Sequence, residues 1–432
     1  MINKIGIFIT ISLLVFPRMY RFGGLLNIQV WELSLILCLL FWSYHIAITK
    51  RINIKIDALN LAIIVFLFVN ILSSIRMPEH AGTFMEGGMW YNLRTVEPVL
   101  LYFIVTDFLS EKRNIKSLLL CMLTVLCFES ILGILQSLAH VKWLGTVGNW
   151  TPGGENWYPQ ETTRGYIYYL TGFGSPLVTN AYGTFGHFNA FGLYLMLFVP
   201  LLVSFVISGK FISRKVAIPL AGLTISVLVL TYSRSILLGA ALGLVIMLLV
   251  KYRARPIFFF FSISAIAGFA IFTITTFVSR GYEESLSFFF RLDIWQRSLE
   301  VIFHDPINFF FGTGSGTNLY WTQFESRGHY YSPHSTYLMV WLETGVFGLM
   351  SFVSIFIILF VRCFKTHLRG GEEQYKCIIY ALLGIIPGLL VLFCFSNNAL
   401  EHSSQALILV IVALGASANK LYSQYKSAPL RL

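Results

Sequence analysis

Residues 279–337 read SRGYEESLSFFFRLDIWQRSLEVIFHDPINFFFGTGSGTNLYWTQFESRGHYYSPHSTY, the longest polar-bearing interval of the chain. Two strongly apolar runs flank it, IFFFFSISAIAGFAIFTITTFV at 257–278 and LMVWLETGVFGLMSFVSIFIILFV at 338–361. Each reaches the ~20 residues that a helix needs to cross a bilayer, so the interval is expected to be a loop at one membrane face. It holds Arg280, Arg291, Arg297 and Arg327 with His304, His329 and His334, and no redox or metal motif. A cationic loop of this kind points to an anionic substrate handled at the bilayer surface.

The rest of the chain agrees with a membrane scaffold. Of 432 residues, 56% are hydrophobic and only 12% charged, more apolar surface than a water-soluble core can use. The net charge of +11 does not indicate nucleic-acid binding, because the basic residues are scattered between apolar spans. Cys38, Cys121, Cys127, Cys363, Cys377 and Cys394 form no CxxC or Cys/His cluster, so neither a disulfide framework nor a metal site is expected. The N-terminal MINKIGIFITISLLVF is followed by PRMYRF and no small-residue cleavage site, which reads as a retained first helix.

The fold class expected is an all-α integral membrane protein with about twelve transmembrane helices. The apolar spans fall near 5–17, 27–48, 59–75, 95–109, 117–139, 190–208, 216–233, 236–252, 257–278, 338–361, 378–396 and 406–420. No ten-residue alternating pattern suggests a barrel. The chain divides into helices over 1–139, a first long outer loop over 140–189, further helices over 190–278, the large loop 279–337, and final helices with an inner tail over 338–432.

With the N-terminus inside, 20 of the 31 Lys and Arg residues fall on inner loops, as the positive-inside rule requires. On the outer side every cation except Lys142 is an arginine. Arginine offers a planar fork suited to phosphate oxygens and keeps its charge when half-buried. The alternative is an outer surface low in lysine by chance or codon bias, and the phosphate reading is the one preferred.

Three places carry candidate chemistry. Arg234, in TYSRS at 231–235, sits in a connection so short that it must lie at the membrane boundary, either held by an anion or snorkelling to headgroups. Arg291, in SFFFRLDIW, has apolar neighbours that keep it near the same surface. His334 follows a proline and precedes a membrane-entering helix, with Ser335 or Thr336 placed to cap it. An imidazole there would accept a proton from a hydroxyl near neutral pH. Glu343 lies nine residues on, a buried anchor or an orienting group, and Gly345 and Gly348 would allow close helix packing. Leu292–Phe303 has helical spacing, ended by His304-Asp305-Pro306. Phe311–Gly316 (FGTGSG) lacks the Lys-Ser/Thr of a phosphate loop and reads as a flexible loop. No HExxH, paired-carboxylate or GxSxG motif points to a protease, glycosidase or lipase.

Four motifs resemble the O-antigen ligase/polymerase superfamily: GTFGHFNAFGLYL at 183–195, TYSRS at 231–235, RLDIWQRSLEVIFHDPINFFFGTGSG at 291–316 and HSTYLMVWLETGVFG at 334–348. The last fits the family pattern His-[Asn/Ser/Gln]-x9-Gly-x-x-Gly, and together they span roughly the second half of the chain. The resemblance implies a GT-C-like glycosyltransferase of the bacterial inner membrane with its active site facing the periplasm. It would transfer a glycan from an undecaprenyl-pyrophosphate donor without cofactor or metal, the implied partners being that lipid-linked donor, a lipid A-core acceptor and membrane lipids. The family's essential arginines and histidine map to Arg234, Arg291 and His334. Further substrate contacts are expected from Arg164 and His187 in the first loop and from Arg297, Arg327 and Glu343. A polymerase acting on a second lipid-linked repeat unit, a protein O-oligosaccharyltransferase and a transporter are the rival readings. A transporter would need charges along a path through the bilayer, whereas the polar residues here gather on one face.

Overall fold

A computed structural model describes residues 30–50, 54, 56–76, 82–138, 181–185, 188–252, 282–317, 323–324, 329–330, 332–369, 373–397, 400 and 402–427. Helices dominate them: α1 (Val30–Thr49), α2 (Ala58–Ser74), α3 (Gly82–Phe108), α4 (Lys112–Leu138), α5 (Phe188–Ser208), α6 (Arg214–Leu230), α7 (Arg234–Lys251), α8 (Tyr282–His304), α9 (Pro306–Phe311), α10 (Thr336–Arg369), α11 (Glu373–Phe395) and α12 (His402–Ser427). Six of the described helices are long and apolar enough to cross a membrane, which makes this a multi-pass membrane protein. The expected spans 5–17 and 257–278 lie outside the described residues.

Two expectations change. The fourth span, read at 95–109, is the end of a longer helix that begins at Gly82. The loop 279–337 is largely structured: α8 starts ten residues before the expected Leu292, and Gln323–Phe324 (β1) pairs antiparallel with His329–Tyr330 (β2). That short ladder is the only strand pairing among the described residues, and neither run alternates long enough to be seen from sequence.

The bundle is drawn together by glycines. Gly239 and Gly243 of α7 face Gly388 and Gly384 of α11 so closely that a Cβ on Gly243 would lie 2.4 Å from the Gly384 carbonyl oxygen. A Cβ on Gly388 would lie 2.6 Å from the Gly239 oxygen. Helices cannot gain from the hydrophobic effect against one another in lipid, so this close backbone approach and its dispersion contacts take over that role. Because α7 and α11 run antiparallel, the N-terminus of α7 (Arg234) and the C-terminus of α11 (Phe395) finish at the same end of the bundle.

Polar contacts sort by end. At one, Arg362 pairs with Asp57 at 2.7 Å, Ser204 donates to the Cys377 carbonyl and Thr366 donates to Asn419. Asp57 also caps α2 by accepting from the Leu59 and Asn60 amides. The loops expected to be inner on charge grounds meet here. At the other end gather the turn before α7, the C-terminus of α8, α9 and the start of α10.

Candidate active site

The chain enters α10 by a turn that three elements hold in place. The indole Nε1 of Trp295, on α8, donates to the Pro333 carbonyl at 2.7 Å. The Ser396 carbonyl beyond α11 accepts from both the Thr336 amide (3.1 Å) and its hydroxyl (2.6 Å). Asn397 donates to the Ser332 hydroxyl at 2.6 Å. Ser335 accepts from the Leu338 amide at 3.5 Å and donates to the Phe393 carbonyl, so it is the capping side chain of the two considered, with a long bond. Between these ties His334 takes a left-handed backbone, φ 50.

Arg291 lies one turn before Trp295 on α8, on the face that also buries Ile294, Ser298 and Ile302. Arg234 opens α7 after a turn in which Tyr232 is also left-handed, φ 54. Residues far apart in sequence thus converge. Arg234 is near enough to Arg291 to disfavour its charge, and Arg291 does the same to His334. Burial lowers the Arg291 pKa, with the Arg234 charge adding to it. Burial, again with help from Arg291, pushes the His334 imidazole down to about 4. At neutral pH the site therefore presents two neighbouring guanidinium groups and a neutral imidazole, a combination able to hold a polyanion and accept a proton.

Two other expected contacts lie on described helices. Arg297 is exposed on a different face of α8 from Arg291, and Glu343 is 3% exposed within α10. Arg164, His187 and Arg327 lie outside the described residues.

The glycine-rich stretch after α9 is not the flexible loop expected from its composition. Thr313, Ser315 and Thr317 are buried, and the stretch wedges into a break in α10. Gly345, read as a packing glycine, has φ 69 and ψ −175, which interrupts the helix and frees carbonyls of the preceding turn. The Thr313 amide (2.8 Å) and hydroxyl (2.9 Å) donate to the Leu342 carbonyl, and the Gly314 amide (3.1 Å) and the Ser73 hydroxyl donate to the Glu343 carbonyl. Irregular backbone within a membrane protein survives only where its polar groups are satisfied in this way. Arg76 completes the wedge by donating to the Gly312 and Ile307 carbonyls at 2.7 and 3.0 Å.

Residues 219–353 match a protein family described as O-Antigen ligase. The match covers about a third of the chain and supports the resemblance of that stretch to the O-antigen ligase/polymerase superfamily. The matched stretch contains Arg234, Arg291 and His334, as well as the α9 wedge and the Gly345 break. Comparison with curated proteins gives no match. Within the matched stretch, Trp295 was not singled out in the sequence, because an interfacial tryptophan is usually an anchor. Outside it, Gly384-x-x-x-Gly388 and Ser396 were also missed; the paired GxxxG spacing was a readable signal, whereas a serine bound through its backbone carbonyl leaves none.

Proposed function

We propose that the protein is an O-antigen ligase that transfers a glycan from undecaprenyl pyrophosphate to the lipid A-core oligosaccharide at the periplasmic face of the inner membrane. The observation that carries this reading is the Arg234–Arg291–His334 convergence at one end of the bundle. Two cations held together at a membrane boundary favour a multiply charged anion between them, and a pyrophosphate on a lipid carrier meets both requirements.

In this mechanism the acceptor hydroxyl attacks the anomeric carbon of the donor sugar. The new glycosidic bond forms as the bond to the pyrophosphate oxygen breaks, in one in-line step that inverts the anomeric centre. His334 accepts the hydroxyl proton, and the negative charge that grows on the departing pyrophosphate is stabilised by Arg234 and Arg291. A neutral imidazole is the form that a base requires.

The superfamily match is equally compatible with polymerisation, so the decisive experiment separates the two. Surface polysaccharide from a deletion strain is run on a gel and probed for attachment to core and to lipid carrier. Full-length chains stranded on undecaprenyl pyrophosphate support the ligase. Single repeat units on the core, without long chains, would establish the polymerase instead.

A further inference from the structure

The strap Ala181–Phe185, which leads toward α5, is buried, and each of its five amides is hydrogen-bonded. The Ala181 amide donates to the Leu230 carbonyl at 2.9 Å and the Phe185 amide to the Tyr182 carbonyl at 3.1 Å. The other three go to α4. The Tyr182 and Gly183 amides share the Gln136 side-chain oxygen at 3.2 and 2.7 Å, and the Thr184 amide donates to Glu129 Oε2 at 3.0 Å. Gln136 Nε2 returns a bond to the Gly183 carbonyl, and the Thr184 hydroxyl donates to Glu129 Oε1 at 2.6 Å.

Glu129 is fully buried inside a membrane-crossing helix, nine residues from its end, or about 13 Å at the helical rise. A carboxylate at that depth is costly, and such residues ordinarily serve a function. The mechanism above does not use it. Its bonds all run to Thr184, and the strap in turn grips Leu230, the last residue of α6. Thr231, left-handed Tyr232 and Ser233 then lead directly to Arg234. The strap also sits too close for bulk: Gly183 has φ 54, and a Cβ there would lie 2.5 Å from Glu129 Oε2.

We infer that Glu129 and Gln136 are positioning residues that act through the strap to brace the turn that aims Arg234 at the donor anion. The inference rests on the reading of Arg234 as an anion ligand. It explains why two polar side chains, seven residues apart on one helix, face the same five-residue segment. Without them the strap would bury unsatisfied backbone groups, and the Leu230 carbonyl would lose a partner.

The test measures farnesyl pyrophosphate affinity of the purified full-length protein in detergent as a double-mutant cycle of Glu129→Leu and Arg234→Ala. Glu129→Leu is expected to weaken binding about tenfold, or about 1.4 kcal/mol, in the wild-type background and to have no further effect once Arg234 is gone. Glu129→Gln, which can accept from the Thr184 amide while its NH2 donates to the Thr184 oxygen, is expected to restore affinity. If Glu129→Leu does not yield folded protein, Gly183→Ala and Thr184→Val enter the same cycle. Wild-type affinity in the strap variants, or an equal loss with and without Arg234, would overturn the brace while leaving Arg234 as the anion ligand. Undiminished binding by Arg234→Ala would overturn the anion reading and the brace with it.

Discussion

His334 and Tyr232 both occupy the left-handed region, at φ 50 and φ 54, which costs a non-glycine residue roughly 1–3 kcal/mol. Surrounding bonds must hold such a backbone in place, and at His334 the clearest is the Trp295 indole on the Pro333 carbonyl. Trp295→Phe keeps the ring packing and removes the bond. Turnover is expected to fall about tenfold to a hundredfold with little change in donor KM, because the arginines remain in place. Steady-state kinetics with a lipid-linked donor checks this. The depressed His334 pKa also sets a pH dependence. An ordinary histidine, near 6.5, would lose its basic form as pH falls through that value. With the folded-state pKa near 4, kcat/KM should stay level from pH 7.5 to about 5 and drop tenfold per unit only below about 4. A pH profile of kcat/KM for the donor reads this directly.

At the scale of the elements, two glycine devices set the geometry that side chains then exploit. The α7–α11 contact admits no side chain at Gly243, so Gly243→Leu must separate the helices and carry Arg234 away from Arg291. Overpacking of this kind costs about 1–3 kcal/mol or more, and activity should be lost at temperatures where the protein remains folded. Thermal unfolding and transfer assays on the same preparation separate the two effects. Gly345 serves differently. A Cβ there would meet the Phe310 carbonyl oxygen at 2.2 Å, and the pairing of φ 69 with ψ −175 suits glycine alone. Gly345→Ala is expected to destabilise by at least 1–3 kcal/mol, measured as a lowered melting temperature in detergent.

For the whole molecule, the two ends are built for different tasks. The Asp57–Arg362 pair and the α2 cap stand at the end opposite the arginine–histidine site. Asp57→Ala removes the cap and a half-exposed ion pair, together about 1 kcal/mol. Stability should drop accordingly while kcat and KM are retained, since nothing at the site end depends on that contact. Loss of transfer in a folded Asp57→Ala protein would show that the ends are coupled.

Much of this architecture was legible in the chain itself, for a physical reason. Hydrocarbon accepts only helices of sufficient apolar length, and basic residues mark one side of them, so spans such as 190–208 are nearly the observed α5. The three candidate residues were legible too, because arginine at a membrane boundary and histidine after proline at a helix mouth are chemically conspicuous. Tertiary structure alone decided that the residues meet. Arg234 reaches Arg291 because glycines let α7 and α11 approach, and His334 joins them because α8 and the end of α11 fasten its turn. Those contacts run through backbone carbonyls and missing side chains, which residue chemistry does not announce. The same holds for the FGTGSG wedge: its composition suits a flexible loop, and only the carbonyls freed at Gly345 supply the partners that order it.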